Sequence, residues 1–71
     1  MREIYVLQFS DHQFYEEMSE EEMHYSHCTY RTTFMLNEAT IFTTIDEAYQ
    51  IQDYIKKRDG YQPKIIVFKE V

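Results

Sequence analysis

Apolar residues recur with two different periods along the chain, and these periods predict two strands and one helix. Residues 3–9 and 64–71 place apolar side chains on both faces of an extended chain, which is typical of inner strands of a sheet. Residues 45–58 instead carry apolar side chains near helical spacing, at Ile45, Ala48, Ile51, Tyr54 and Ile55.

The ends of this helix carry their own signals. Thr44 and Glu47 have the spacing of a capping box, in which the side chains bond to backbone N–H groups of the first turn. The bases of residues 56–58 suit the negative end of the helix dipole. Gly60 can take the left-handed conformation that ends a helix, and Pro63 blocks its continuation. The sequence therefore predicts a helix over 45–58.

Two further capping boxes lie close together in the first third of the chain. Ser10 with Gln13, and Ser19 with Glu22, both have the required spacing. Two starts nine residues apart cannot both begin one continuous helix. We therefore expect a short helix or turn after Ser10 and a second helix after Ser19.

The remaining stretches complete an α+β domain over residues 1–71. Residues 29–36 are rich in β-branched and aromatic side chains and predict a strand, and residues 40–43 predict a short strand or an extended lead-in. We expect a small, mostly antiparallel sheet of three to four strands, with the 45–58 helix packed on one face and a further helical segment within 11–27.

One helix of this length can cover only one face of such a sheet, which leaves the other apolar face to be covered. The 11–27 segment is too acidic to serve as a full lid, although Phe14, Met18 and Met23 could cover part of the face. Because an uncovered apolar face tends to pair with a copy of itself, we expect a homodimer.

Composition excludes several classes of protein. The 71 residues include 13 acidic and 7 basic side chains, which gives a formal charge of −6. A single glycine, Gly60, is too few for a P-loop, a dinucleotide-binding fingerprint or a nucleophile elbow. A single cysteine cannot form an internal disulfide, and we expect neither a signal peptide nor a membrane-spanning helix, because no apolar run is long enough for either. We expect a cytoplasmic protein that has no membrane association.

The negative charge is concentrated in the middle of the chain. Residues 11–55 hold ten acidic side chains against Arg31 alone, a net charge of −9, whereas residues 56–71 carry +3. One interpretation is a solvated face that keeps the protein soluble. The alternative is a surface that presents carboxylates to a basic groove of a partner protein, as DNA phosphates would, with interleaved aromatic and Met side chains supplying desolvated contacts. The partner-binding residues are then Asp11, Phe14, Tyr15, Glu16, Glu17, Glu20, Glu21, Glu22 and Tyr25.

Direct binding of nucleic acid through this segment is not expected, because phosphate would repel it. Catalysis by Cys28 with His24 is not expected either, since no orienting group or oxyanion hole is recognisable. Acid–base catalysis is not expected because carboxylates in an exposed Glu run stay solvated and ionised. A second class of function remains open. On a helix, His24 would lie one turn from both His27 and Cys28, and such N/S ligands can hold Zn²⁺. The alternative is therefore a small-ligand or metal-binding protein that uses these side chains. No cofactor is expected if the protein instead binds a partner through its acidic stretch.

The stretch Ala39-Thr40-Ile41-Phe42-Thr43-Thr44-Ile45-Asp46-Glu47-Ala48, followed by a helix and a short apolar strand, resembles a pattern common in small acidic accessory and anti-defence proteins of bacteriophages. It covers roughly the last 33 residues. The resemblance implies binding to a host protein, often with inhibition of a host or defence enzyme, and the acidic stretch indicates a basic surface on that protein. The class shares no site motif, so the resemblance assigns no functional residue. The leading interpretation is a non-enzymatic, acidic, protein-binding inhibitor or modulator.

Overall fold

A computed structural model describes residues 2–26 and 28–70. Its elements follow the order β1 (Arg2–Ser10), β2 (Gln13–Glu17), α1 (Glu20–Ser26), β3 (Tyr30–Thr33), a 3-10 turn (Leu36–Glu38), α2 (Ile45–Asp59) and β4 (Lys64–Glu70). In the described residues, four antiparallel strands form one sheet with one main helix on it, which confirms the predicted α+β class.

The sheet has the strand order β3-β2-β1-β4. β1 is an inner strand, as its apolar side chains on both faces predicted. β4 is not, because it pairs only with β1 and lies at the edge of the sheet. The prediction of an inner strand at 64–71 was wrong. The apolar pattern arises because one face of β4 is turned to α2 and the other is turned away from it. It does not indicate a neighbouring strand on each side.

A β-hairpin replaces the helix or turn that was predicted after Ser10. β1 and β2 are joined through Asp11 and His12, and the Cα partners are Ser10 with Gln13 and Gln8 with Phe14. The Ser10 hydroxyl donates to Gln13 Oε1 at 3.2 Å, so the two predicted capping residues do meet. They meet across a two-residue hairpin loop, because the following residues pair with β1 and β3 rather than with one another.

The second capping box is present as predicted. At the start of α1, the Glu22 N–H donates to Ser19 Oγ at 3.2 Å, and the Ser19 N–H donates to Glu22 Oε1 at 3.3 Å. The two bonds satisfy backbone donors that a helix N-terminus leaves without intrahelical partners. They fix the direction in which this seven-residue helix leaves β2.

A short extended segment joins β1 to β2 where the two strands separate. Phe42 exchanges backbone hydrogen bonds with Tyr5 at 2.8 and 2.9 Å, and the Thr40 N–H donates to the carbonyl oxygen of Tyr15 at 3.0 Å. The Thr40 hydroxyl also accepts from the Glu17 N–H at 2.7 Å. The predicted strand or lead-in at 40–43 is thus an isolated bridge that leads into α2.

α2 covers one face of the sheet and forms the core with it. Thr44 Oγ1 accepts from the Glu47 N–H at 3.3 Å, and Gly60 ends the helix at φ 73°, with its N–H bonded to the Lys56 carbonyl. The buried side chains between helix and sheet are Tyr5, Leu7, Tyr15, Phe42, Ala48 and Ile55. Their positions confirm the predicted helix and its apolar face at Ala48 and Ile55.

The opposite face of the sheet carries a shallow apolar groove. Ile4 and Val6 of β1 and Phe68 of β4 line it together with Leu36 and Ile41, around a volume of about 420 Å³. Residues 11–26 do not cover this groove, because they form β2 and α1 and because Met23 of α1 borders a different groove beside α2.

Candidate functional site

The nine residues predicted to bind a partner are divided among three elements. Asp11 lies in the hairpin loop, four residues lie on β2, and four lie on α1. Side chains alternate along β2, so Phe14 and Glu16 lie on the face away from α2, whereas Tyr15 and Glu17 lie on the α2 face. The acidic stretch is therefore not one continuous surface.

Tyr15 lies in the core and not on the predicted surface. Its side chain is only 6% exposed, and its ring lies 5.6 Å from the ring of Tyr30 and 5.9 Å from that of Phe42. Burial raises the pKa of the Tyr15 hydroxyl above its ordinary value. A partner cannot reach this side chain without opening the sheet, so its contribution is to packing.

Arg31 on β3 holds two of the predicted acids. Its Nε lies 3.0 Å from Glu16 Oε2, and its Nη1 bonds to Glu22 of α1. The hydrogen bond with Glu16 is the main cause that raises the pKa of Arg31. The pKa of Glu22 is lowered first by the backbone and hydroxyl of Ser19, and then by Arg31. Glu16 and Glu22 are therefore engaged within the protein, where they tie β2, β3 and α1 together.

Sequence reasoning had assigned Arg31 no role, yet the signal for one was present. It is the single base among ten acids in residues 11–55, so pairing with some of them was to be expected. Which acids it selects depends on the antiparallel register of β2 with β3, which places Glu16 opposite Arg31.

The accessible part of the acidic stretch is smaller than predicted. Asp11 is exposed in the hairpin loop, at the other end of β2 from Glu17. We call the remaining exposed residues the acidic patch: Glu17, Glu20, Glu21 and Tyr25. All four are exposed, and Tyr25 is 77% exposed. Glu21 and Tyr25 are one helical turn apart, so their side chains leave the same side of α1. The edge of the His24 ring packs on Tyr25, with 5.5 Å between ring centroids. The patch combines carboxylates with a protruding aromatic ring.

The metal-binding alternative is not assembled by the part of the chain that the structure describes. His27 lies outside the described residues, while His24 and Cys28 are both exposed. Among residues 2–26 and 28–70, no three His, Cys, Asp or Glu side chains are grouped so that they could hold a metal ion.

A hydrogen-bonded cluster that was not predicted lies at the C-terminal end of α2. Arg58 Nη1 donates to Tyr54 Oη at 3.0 Å and to Thr29 Oγ1 at 2.5 Å, and Tyr30 donates its hydroxyl proton to Asp59. The bonds from Thr29 and Arg58 lower the pKa of Tyr54. Arg58 had been assigned only to the helix dipole, but it also joins α2 to the start of β3.

Tyr30 gives this cluster a predictable pH dependence. Burial, followed by the hydrogen bond to Asp59, raises the Tyr30 pKa from 10.0 to about 12. The protonated form is therefore favoured by folding, and the resulting stability is fully present below about pH 10 and is lost as the pH rises to about 12. We expect Tyr30→Phe to be less stable than the wild type at about pH 8, and the difference to shrink at about pH 11.

Urea unfolding at both pH values tests this expectation. The exposed Tyr25→Phe variant is the control, and Tyr5 and Tyr15 remain in every protein compared. A difference in unfolding free energy between wild type and Tyr30→Phe that is equal at both pH values would contradict it.

In the described residues, neither helix has the length and apolar composition needed to cross a membrane.

Comparisons of the chain with family models, with curated proteins and with solved structures found no significant match.

Proposed function

We propose that this protein is a non-enzymatic protein-binding module, an acidic inhibitor or modulator that binds a basic surface of a host protein. The observation that carries the proposal is the acidic patch, in which Glu17, Glu20, Glu21 and Tyr25 are all exposed. The proposal includes a bacteriophage origin and a cytoplasmic site of action, both from the sequence pattern.

The first turn of α1, which carries two acids of the patch, is held in place by neighbouring side chains. The capping box of Ser19 and the bond from Arg31 to Glu22 both hold the first turn of α1. The exposed carboxylates of Glu20 and Glu21 are therefore presented from a fixed backbone and not from a flexible loop. Such a surface speeds association with a basic partner, and the association weakens as salt screens the charges.

Tyr25 supplies a large side chain that can be desolvated in an interface, which the carboxylates do not. Exposed charge pairs contribute little net affinity, because water and salt screen the attraction and both side chains lose conformational freedom. Affinity in protein interfaces comes mainly from a few large side chains that become fully desolvated, and Tyr is among the most frequent of these. The Tyr25 ring, which is 77% exposed and one helical turn from Glu21, fits this pattern.

The arrangement also suits competition with nucleic acid. Carboxylates that follow one another at the start of a helix can occupy the basic groove that would otherwise hold phosphates. A target of this kind binds DNA or RNA, and this protein would displace the nucleic acid from the target.

The experiment compares two matched charge reversals on a partner captured from host cells and then purified. Glu20→Lys with Glu21→Lys reverses the two adjacent first-turn acids of α1. Asp46→Lys with Glu47→Lys makes the same change in net charge at two adjacent, exposed first-turn acids of α2. We expect the first pair to weaken binding at least about tenfold and the second to leave affinity nearly unchanged.

Affinity measured over a range of salt concentrations gives a second readout. We expect the wild-type affinity to fall as salt rises, and the salt dependence to be shallower in the α1 variant. Tyr25→Ala should reduce affinity at every salt concentration. Binding that is insensitive to salt and unaffected by reversal of Glu20 and Glu21 would contradict the proposal.

A further inference from the structure

The outer edge of β4 carries backbone groups that face away from the sheet. Tyr5 of β1 exchanges its hydrogen bonds with Phe42, on the side of β1 opposite β4. Tyr5 and Val67 therefore form a non-hydrogen-bonded pair of the β1–β4 ladder, and the N–H and C=O of Val67 point outward. By the same alternation, those of Ile65 and Lys69 also point outward.

This edge has several features that favour pairing with another chain. Within residues 2–26 and 28–70, no backbone group pairs with the outward side of β4. The strand is seven residues long, with no proline and no bulge, and it carries apolar side chains on both faces, with Val67 45% exposed and Phe68 36% exposed. Long, flat, apolar edges are templates for pairing with another chain.

We propose that the β4 edge pairs with the β4 edge of a second copy, antiparallel about a two-fold axis at Val67. The register places Val67 opposite Val67, Ile66 opposite Phe68, Ile65 opposite Lys69 and Lys64 opposite Glu70. It is the antiparallel register that pairs all seven residues of the strand. Each outward-facing residue then exchanges a pair of hydrogen bonds with its counterpart, and the two sheets become one.

The sequence of β4 favours a copy of itself as the occupant. Ile66 and Phe68 form an aromatic and β-branched pair twice, on the face that bears the apolar groove. The pattern is therefore complementary to itself under a two-fold rotation, as an isologous interface requires.

The pairing differs from the face-to-face dimer that the uncovered sheet face had predicted. Residues opposite each other in a sheet lie on the same face, so both α2 helices lie on one side of the joined sheet and both apolar grooves on the other. The inference does not depend on the acidic patch, which lies on other elements.

Amide hydrogen exchange of the full-length chain, followed residue by residue with NMR, tests the register. Dilution of the dimer should speed exchange at Ile65, Val67 and Lys69 alone within β4. The amides of Ile66 and Phe68 bond to β1, and their exchange should stay unchanged. Sedimentation of the same samples should show a mass that rises with concentration from 8.8 kDa towards twice that value. A mass fixed at 8.8 kDa, or exchange at Val67 that does not respond to dilution, would overturn the proposal.

Three lysine substitutions at exposed positions locate the contact. Val67→Lys would oppose two like charges on the two-fold axis and should weaken association at least about tenfold. Tyr49→Lys on α2 is the control and should leave association unchanged. Ile41→Lys lies in the apolar groove, so loss of association in this variant, together with its retention in Val67→Lys, would overturn edge pairing in favour of contact between faces. Circular dichroism checks that each variant is folded, and the exchange measurement on the wild type is independent of all three.

Discussion

Ala48→Asp is expected to remove most of the protein's free energy of unfolding at neutral pH. Ala48 is 0% exposed and lies where α2 meets β1. A carboxylate there would lose its hydration without gaining a partner, which costs about 3–5 kcal/mol. The free energy of unfolding of a chain this small is only roughly 5 kcal/mol, so most of the stability would be lost.

The matched control is Gln50→Asp, two residues further along the same helix and exposed. The same side chain is introduced there without burial, and we expect a change within about 0.5 kcal/mol. Thermal and urea unfolding followed by circular dichroism compare the two. Partial recovery of Ala48→Asp at acid pH would support the electrostatic cause, because protonation removes the buried charge. A variant that unfolds like the wild type would show that the face of α2 is wrongly assigned.

Leu7→Ala is expected to lower the free energy of unfolding by about 2–5 kcal/mol, whereas Ile4→Ala should lower it by roughly 1 kcal/mol. Both residues lie on β1, and both substitutions remove the same number of carbon atoms. Leu7 is 0% exposed against α2, where its loss leaves a cavity, while Ile4 borders the apolar groove on the other face and is only half-buried.

Urea unfolding at a concentration low enough to keep the chain monomeric measures both variants. The difference between the two losses of unfolding free energy shows which face of the sheet contributes more to stability through packing. Equal losses in the two variants would mean that the groove face is as well packed as the α2 face, which is not what the structure predicts.

The parts of the fold that could be predicted are those set by neighbours in sequence. Every signal for α2 lies inside or next to it: the Thr44 cap, the spacing of Ala48 and Ile55, and the left-handed Gly60. The Ser19 box at α1 is equally local. For these elements the residues that decide the structure are within a few positions of one another, so the elements could be predicted from the sequence alone.

β2 escaped prediction because its structure depends on partners distant in sequence. Glu16 and Glu17 have low strand propensity, and Ser10 with Gln13 fits a helix cap as well as a hairpin loop. Pairing with β1 and β3 decides between the two. The same limit applies to the acidic patch, since neither the burial of Tyr15 nor the selection of Glu16 by Arg31 follows from spacing along the chain.

The pairing of β1 with β4 has a consequence for how the chain folds. The paired residues are more than fifty positions apart in sequence, and β1 also receives Phe42 on its other edge. The fold therefore has a high contact order, which slows folding because a long loop must close before these contacts form. During synthesis, β1 leaves the ribosome early and stays unpaired on that edge until β4 follows. Its apolar run is then the segment of the nascent chain that most needs protection from aggregation.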